Sequence, residues 1–559
     1  MIKALLILAY LACDFSAFSG RVSSLGLSPG LVVFLALYLL AASALFLVAW
    51  NRSPMLRVVL AVILSAGSIL QQSFERTTDG ALTYEAFVNL LNASGQAGEA
   101  LAQHGQVLLT AVPIALLLFF GIILPPRHER ISRKLALLAP LAISLGLSTL
   151  LYARGGEGSR ALPAAVPPVS LATIKLAQDL LAEGGTRRAV ALPRPATPPA
   201  RDIVLLVDES VAANYLDIDN PLGVTSGLLK PPPGVQAFNY GYAASIHDCS
   251  ANSNVALRFG GTRETYQQTI AHYPSIWAYA RHAGLGTVYI DAQSTGGRLQ
   301  NLMTPSERRE IDSFIQFDDT PVLQRDMAVA DALASHINNG RPEFIYVNKV
   351  GAHFPVQDKF PDRLMRYRPV LDRGSHGLLS WSSDRTGFHG RPDEWVRYRN
   401  SYRNALLWNV GEFFHHLFRA TDLRNATVIY TSDHGQDLHE RGNPGNNTHC
   451  GVTRATQEVG LVPLVVLEAK GHAAADWQNS LANNRNGMSH FRIFPTLLQL
   501  MGYQRQGYLP LYGPSLTDPD KDPFSYNLRF NTLLGRQPEW QVINLKHIVD
   551  PPVSDYRGS

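Results

Sequence analysis

Acidic and histidine side chains follow three short apolar runs in the C-terminal part of the chain. These groups are Asp208-Glu209-Ser210, Asn348 to His353, and Thr431-Ser432-Asp433-His434-Gly435, and His449 lies further on in a Gly/Asn-rich loop. Carboxylate and imidazole groups together are the ligands that suit Zn²⁺ or a similar divalent cation. A single Asp or His after a strand is more often a helix cap than a ligand, so it is the whole set that indicates a metal site.

The apolar runs that precede these side chains are short and rich in Val, Ile and Tyr, which is typical of strands. They are Ile203–Val207, Thr287–Ile290, Phe344–Val347, Val428–Tyr430 and Val462–Leu467. Helical stretches lie between them, such as Ser275–Ala283 and Ser401–Phe418. This alternation predicts a largely parallel sheet with helices on both faces. Ligands of such sheets bind at the carboxyl ends of the strands, so we expect the acids and histidines to meet at one rim.

Residues 1–155 predict a membrane domain. Charged residues are only 17% of the chain, although hydrophobic residues are 46%; typical soluble domains have roughly 25% charged residues. Five apolar stretches account for the deficit and are expected to cross a bilayer: Ala4 to Phe18, Leu31 to Trp50, Val58 to Phe74, Val107 to Leu124 and Leu135 to Tyr152. The basic loops 51–57 and 127–134 are typical of cytoplasmic loops, which places everything after Tyr152 outside. A cleaved signal peptide is the alternative interpretation of the first stretch.

Changes in composition divide the rest of the chain. Residues 75–104 are expected to include an interfacial helix, with Tyr84, Phe87, Leu90 and Leu91 at helical spacing, or else a solvated connector. Residues 156–200 are rich in Gly, Pro and Ala, as in a linker, residues 201–518 form the α/β domain, and residues 519–559 are a C-terminal extension. The net charge of +4, from 49 basic and 45 acidic residues, is too balanced for a nucleic-acid partner.

Several of these pieces together resemble the alkaline-phosphatase/sulfatase superfamily. They are the stretches 203–210 and 430–436 and the triplet His353-Phe354-Pro355. With the five-span N-terminus, the chain resembles the phosphoethanolamine transferases of Gram-negative inner membranes within that superfamily. The resemblance implies an α-helical membrane domain of five transmembrane helices, a periplasmic linker, and a sulfatase-like α/β catalytic domain with a mostly parallel central sheet.

The resemblance also implies a nucleophile and its metal. The family uses a threonine four residues after a cysteine, and the same offset from Cys249 lands on Ser253, with Ser250 as the competing candidate. Serine carries the same kind of hydroxyl nucleophile as threonine. Carried over to this chain, the principal zinc ligands are Glu209, Ser253, Asp433 and His434. His353 and His449 match histidines that contact the phosphoryl group or a second zinc, so one or two zinc ions are expected.

Weaker matches concern the substrate and a disulfide. Gln293 and Ser294 match positions near the donor headgroup, and Arg298 either neutralises a phosphate or is a solvated surface residue. Gln436, also expected to bind substrate, stands where the family commonly has a glutamate, so a second metal is expected to be held less firmly. Only Cys249 and Cys450 lie in the α/β domain. A disulfide between them is one hypothesis, and the alternative is that both are free thiols.

The implied function is transfer of phosphoethanolamine from phosphatidylethanolamine to a periplasmic glycan or a lipid A type acceptor of lipopolysaccharide, through a phospho-serine intermediate, by a monomer of the bacterial inner membrane. One alternative is a phosphoglycerol transferase that uses phosphatidylglycerol, and another is a non-catalytic lipid-binding or sensor protein of the same fold. A sulfatase activity is disfavoured, because residues 249–253 lack the Pro and Arg of a Cys/Ser-x-Pro-x-Arg box.

Overall fold

The computed structural model describes two compact units. It covers the chain except for residues 1, 79, 93–96, 127–132, 183–186, 375–391, 441–455, 529–533, 535–536 and 557–559. The N-terminal unit comprises Met1–Thr186 with Leu534–Arg536, and the α/β unit comprises Arg187–Leu533 with Gln537–Ser559.

The N-terminal unit is helical. Its helices α1 to α8 are Ile2–Cys13, Phe15–Leu25, Pro29–Ala49, Pro54–Thr78, Tyr84–Asn92, Ala97–Ile123, Arg133–Ala153 and Val166–Ala182. Among the described residues, three helices are long and apolar enough to span a membrane, in α3, α4 and α7, and a fourth span results if α1 and α2, bent by 54° from each other, count as one. The described apolar part of α6, Val107–Ile123, is shorter. Three or four candidate spans are therefore present, and the expected fifth is not confirmed.

Two further helices of this unit lie within the segments 75–104 and 156–200, outside the predicted spans. Helix α5 lies within 75–104, where Tyr84 and Phe87 are buried while Leu90 and Leu91 are 41% and 48% exposed. Helix α8 occupies much of the predicted linker 156–200 and packs against α4 and α7. The interfacial position of α5 stays a prediction.

The α/β unit is built on an eight-stranded sheet. Its strands β1 to β8 are Asp202–Asp208, Val235–Ala244, Gly286–Asp291, Ser313–Gln316, Glu343–Asn348, Ala426–Ser432, Leu461–Ala469 and Met488–Ser489. They lie in the order β4-β3-β5-β1-β6-β7-β2-β8, and every neighbouring pair is parallel except the two that involve β7. Only β7 is therefore antiparallel to its neighbours, and the prediction of a mostly parallel sheet is confirmed.

Helices cover both faces of this sheet. Helices α9 to α18 are Ser250–Phe259, Tyr266–His272, Ile276–Ala283, Pro305–Arg308, Val322–Ile337, Pro392–Leu406, Phe413–Ala420, Trp477–Asn484, Ile493–Leu500 and Arg505–Tyr512. Alternate residues of β1 enter different cores: Val204 and Leu206 pack with α13, α14 and α15, and Ile203 and Leu205 pack with α11, α17 and α18. This alternation follows from the two-residue period of a strand.

Three features of the α/β unit differ from the sequence-based expectation or add to it. Strands β2 and β4 were not predicted, and β2 carries a register shift between Asn239 and Tyr242 that interrupts its pattern. The single helix expected over Ser401–Phe418 is α14 and α15, joined by a π-helical turn at Leu407–Glu412. The extension 519–559 contributes a two-stranded sheet, β9 Ser525–Asn527 with β10 Trp540–Val542, and its Asp555 forms ion pairs with Arg399 and Arg403.

Candidate metal centre

The carboxyl ends of the parallel strands bring the predicted chemical groups to one rim of the sheet. Glu209 directly follows β1, and Asp433 and His434 directly follow β6, its hydrogen-bonded neighbour. Strand β2 runs in the same direction and leads, through Cys249, into α9. Because one reversed strand separates β6 from β2, the start of α9 also reaches this rim.

Glu209, Asp433 and His434 form a buried cluster in which one ligand atom of each lies within 4.8 Å of the others. The Nε2 atom of His434 is 3.4 Å from Glu209 Oε1 and 3.9 Å from Asp433 Oδ2. The Nδ1 atom of His434 lies 2.6 Å from the Gly435 carbonyl oxygen, so it is the donor nitrogen, and in the neutral ring Nε2 carries the lone pair. Within the described ranges, this is the one group of acids, histidines and cysteines with metal-ligand spacing.

The charges of the cluster fit a divalent cation. Burial and the charge of Glu209 raise the pKa of Asp433 well above its ordinary value. Burial would also raise the pKa of Glu209, but His434 and His353 outweigh it and leave that pKa well below the ordinary range. Burial lowers the pKa of His434, yet Asp433 and Glu209 outweigh this and raise it to about 9. A bound cation would replace these protons as the counter-charge, and Asp433 Oδ2, which is buried without a hydrogen-bond partner, is a ready ligand.

Ser250, and not Ser253, contacts this cluster. Helix α9 begins at Ser250, and its Oγ is 3.1 Å from Glu209 Oε1 and 3.3 Å from His434 Nε2. Ser253 lies one turn further into the helix, is fully buried, and donates to the carbonyl oxygen of His247 at 3.2 Å. These contacts favour Ser250 over the predicted Ser253 as the hydroxyl at the rim, and which of the two is the ligand and nucleophile stays a proposal.

Ser210 holds the two carboxylates of the cluster in place. Ser210 has a φ of 59°, in the left-handed region. Its N–H donates to Asp433 Oδ1 at 3.0 Å, and its Oγ donates to Glu209 Oε1 at 2.7 Å. The strained turn after β1 thus joins the ligand of one strand to the ligand of the next. Gly435 lies so close to the Glu458 carbonyl that a Cβ atom there would be 2.1 Å from its oxygen.

A buried ion pair lies beneath the loops that carry Glu209 and His353. Lys349 Nζ is 2.7 Å from Asp208 Oδ2, and both side chains are fully buried. The Lys349 ammonium also donates to the carbonyl oxygen of Asn409, in the π-helical turn. The sequence reasoning missed Lys349 and Asn409; the only available signal was a lysine placed directly after an apolar strand.

His353 follows β5 and its ring is oriented by its own loop. The Nδ1 atom lies 2.6 Å from the Phe354 carbonyl oxygen, so Nε2 carries the lone pair of the neutral ring. An electrostatic interaction with His353 contributes to the low pKa of Glu209. The other proposed histidine, His449, lies outside the described residues.

The structure places the predicted substrate residues at different distances from the cluster. Gln293 donates from Nε2 to Glu209 Oε2 at 2.9 Å. Ser294 is half-buried, Arg298 is exposed, and Gln436 is buried with Nε2 3.4 Å from the Asp437 carbonyl oxygen. Their role in substrate binding stays a prediction.

The proposed disulfide is only partly described. Cys249 is disulfide-bonded, and Cys13 is a free thiol. Cys450, its predicted partner, lies outside the described residues. Since Cys249 directly precedes Ser250, the disulfide holds the residue that caps the first turn of α9.

Comparisons with known proteins found several similar solved structures. The structure of the integral membrane protein lipooligosaccharide phosphoethanolamine transferase A (EptA) from Neisseria meningitidis is similar with a TM-score of 0.61 and 16% identity, covering 92% of this chain and 98% of that chain. The C-terminal periplasmic domain of EcEptC from Escherichia coli has a TM-score of 0.46 and 19% identity, over 60% of this chain and 93% of that domain. Its complex with Zn has a TM-score of 0.44 and 18% identity, over 59% and 91%. No curated protein matches the sequence.

The family model described as Sulfatase matches residues 202–503, more than half of the chain. The matched residues run from the first residue of β1 to just beyond α17, and they contain Glu209, Ser250, Asp433 and His434. The similarity to EptA covers 92% of the chain, and the family match lies within the α/β unit. The chain therefore belongs to the sulfatase family.

Proposed function

We propose that this protein transfers phosphoethanolamine from phosphatidylethanolamine to a periplasmic glycan or lipid acceptor, with Ser250 as the nucleophile. The observation that carries the proposal is the position of Ser250 Oγ, 3.1 Å from Glu209 Oε1 and 3.3 Å from His434 Nε2 at the start of α9. A hydroxyl that contacts a metal-ligand set is the arrangement that nucleophilic phosphoryl transfer needs.

Glu209, Asp433 and His434, with Ser250, would hold a zinc ion. When bound there, zinc would lower the pKa of the serine hydroxyl and polarise a phosphoryl oxygen. His353, with His449 of the undescribed loop, would assist at the phosphoryl group or at a second zinc, whose presence is part of the proposal. The first N–H groups of α9 point their positive dipole end toward the same rim and favour a phosphate there.

The proposed reaction has two steps. Ser250 gives its hydroxyl proton to His353 or His449, its Oγ attacks the phosphorus of the donor, the bond from phosphorus to the glycerol oxygen breaks, and diacylglycerol leaves with that proton. An acceptor hydroxyl or phosphate then attacks the phosphorus of the phosphoethanolamine-serine, and Ser250 regains its proton. Each step exchanges one P–O bond for another, so no redox partner is needed.

The membrane helices and the similarity to EptA support the proposed location. A phospholipid donor stays in the bilayer, and an enzyme with its own membrane spans meets it there. We place the α/β unit in the periplasm of a bacterial inner membrane, with a lipid A type acceptor because EptA is a lipooligosaccharide phosphoethanolamine transferase.

Intact-mass analysis of the full chain, incubated in detergent with one defined phospholipid at a time, tests this proposal. We expect a phosphoethanolamine-sized adduct with phosphatidylethanolamine, and none in the presence of a chelator. A phosphoglycerol-sized adduct that forms only with phosphatidylglycerol would support the phosphoglycerol alternative instead. No adduct with either lipid would favour a lipid-binding protein.

A further inference from the structure

The amide of Gln293 contacts Oε2 of Glu209, whereas Oε1 is the oxygen next to Ser250 and His434. Gln293 is half-buried and follows β3, so it comes from the same rim of the sheet. Its Nε2 donates to Glu209 Oε2 at 2.9 Å and to the Lys349 carbonyl oxygen at 2.8 Å, and it is 3.4 Å from Asn348 Oδ1. All three neighbours are acceptors.

These neighbours determine the orientation of the amide. If the amide were flipped, Gln293 Oε1 would face a carboxylate and a carbonyl oxygen, which cannot donate to it. In the observed orientation, Oε1 faces Gln300 Nε2 at 3.4 Å. The two N–H groups of Nε2 are taken by Glu209 and by the Lys349 carbonyl, so neither is left for the phosphate of a donor lipid.

Glu209 therefore has two differently engaged oxygens. Oε2 accepts from Gln293, whereas Oε1 accepts from Ser210 Oγ at 2.7 Å and faces Ser250 and His434. A carboxylate with only one oxygen fixed can rotate about its terminal torsion, which is broad. The bond from Gln293 removes this freedom and keeps Oε1 directed at the cluster.

A second carboxylate anchors Gln293. Asp291, at the end of β3, is fully buried and accepts from the Gln293 backbone N–H at 3.1 Å. The same Oδ1 atom accepts from Gln300 Nε2 at 2.8 Å and from Asn348 Nδ2 at 3.1 Å. The amides that surround Gln293 are thus ordered by one buried acid, and the network ends at a metal ligand.

We propose that Gln293 is a positioning residue for the metal centre, which orients Glu209 as a ligand, and not a contact of the donor headgroup. The inference rests on the proposed function in one respect, namely that the cluster binds a divalent cation. Outer-sphere hydrogen bonds of this kind orient ligating carboxylates and raise metal affinity.

The test measures zinc affinity of the full chain in detergent, by competition with a chromogenic chelator. Gln293→Met keeps the length of the side chain but cannot donate, and it is expected to bind Zn²⁺ about 10–100-fold more weakly than the wild type. Gln293→Glu, which places a second carboxylate against Glu209, is expected to weaken binding as well. Gln324→Met, at an exposed glutamine of α13, is the matched control and is expected to keep wild-type affinity.

The possible outcomes separate this inference from the proposed function. Wild-type affinity in both Gln293 variants, with a raised KM for the phospholipid, would overturn the positioning role and leave the transferase proposal standing. A wild-type protein that binds no zinc would overturn both. The melting temperatures of the metal-free proteins verify that the variants are folded, and if Gln293→Met does not fold, Gln293→Glu supplies the comparison.

Discussion

Replacement of Lys349 by methionine tests how much the buried ion pair between Lys349 and Asp208, next to the metal centre, contributes to the free energy of unfolding. Lys349 Nζ and Asp208 Oδ2 are 2.7 Å apart and both side chains are fully buried. Tyr430 also donates to Asp208 Oδ2, at 3.1 Å, but it brings no charge. Without the ammonium, Asp208 keeps a buried carboxylate with no counter-charge at this distance, in the loop that continues into Glu209.

The magnitude follows from this geometry. Breaking a buried pair by removing one partner destabilises a protein by about 3–5 kcal/mol, because the other charge is left uncompensated. Asp208→Asn alone leaves the ammonium of Lys349 with Asp326 Oδ2, at 3.9 Å, as its remaining counter-charge, and is expected to lower the free energy of unfolding by less. The double variant removes both charges, so its loss should be smaller than the sum of the single losses by roughly 1–3 kcal/mol.

Denaturant unfolding in detergent, followed by tryptophan fluorescence, measures these values. Of the 7 tryptophans, only Trp50 precedes the α/β unit, so the signal reports mainly on that unit. Arg281→Met is the control: its pair with Asp312, at 2.8 Å, is 50% and 52% exposed, and its loss should be under about 1 kcal/mol. A Lys349→Met loss no larger than that of Arg281→Met, or strictly additive losses in the double variant, would refute the reasoning.

Three further predictions concern charge and space at the rim. Burial raises the pKa of Asp291 from its ordinary value of 3.8 to about 6. Its favourable contribution to stability is therefore complete below the unfolded-state pKa and is lost as the pH rises through the folded-state pKa. The difference in unfolding free energy between the wild type and Asp291→Asn, from unfolding curves, should fall by roughly 3 kcal/mol over that range, and a pH-independent difference would contradict this prediction. Asp433→Asn removes one of two mutually repelling buried carboxylates, so in a thermal-shift assay the metal-free variant should melt no lower than the metal-free wild type. Its melting temperature should no longer rise when Zn²⁺ is added, and a retained rise would exclude Asp433 as a ligand. Gly351 has a φ of 54°, and a Cβ there would lie 2.4 Å from Asp208 Oδ1 and 2.6 Å from the Glu209 carbonyl oxygen. Gly351→Ala should therefore lower the free energy of unfolding by more than about 1 kcal/mol and weaken zinc binding. Gly340→Ala is the control, also at positive φ but in open space, and it should affect stability only.

The metal ligands could be predicted from the sequence because each stands directly after a strand. The apolar runs that became β1 and β6 show their ends clearly, and parallel neighbours place such ends together. Glu209, Asp433 and His434 were therefore expected at one rim, where the structure has them. Their role as zinc ligands stays a proposal.

The nucleophile could not be fixed in the same way. The choice between Ser250 and Ser253 depends on where α9 begins, and that depends on where β2 ends. Strand β2 was not recognised, since its alternation is interrupted at the register shift between Asn239 and Tyr242. A residue count from Cys249 gives an offset along the chain but does not say which hydroxyl of the first turn faces the rim.

Through-space partners were also beyond sequence reasoning. Gln293 and Glu209 are far apart in the chain, and no local pattern links an amide after β3 to a carboxylate after β1. Lys349 looks like a surface lysine in sequence, yet it is fully buried, because its ammonium pairs with Asp208 and donates to the Asn409 carbonyl oxygen. Such contacts depend on the packing of four separate segments.

We propose that Ser250 carries the phosphoethanolamine group during the reaction. Peptide mapping by tandem mass spectrometry of the protein trapped with phosphatidylethanolamine locates the modified hydroxyl, with Ser250→Ala and Ser253→Ala as a matched pair. The adduct should lie on Ser250, disappear in Ser250→Ala and persist in Ser253→Ala. An adduct on Ser253, or one that survives in Ser250→Ala, would contradict the account.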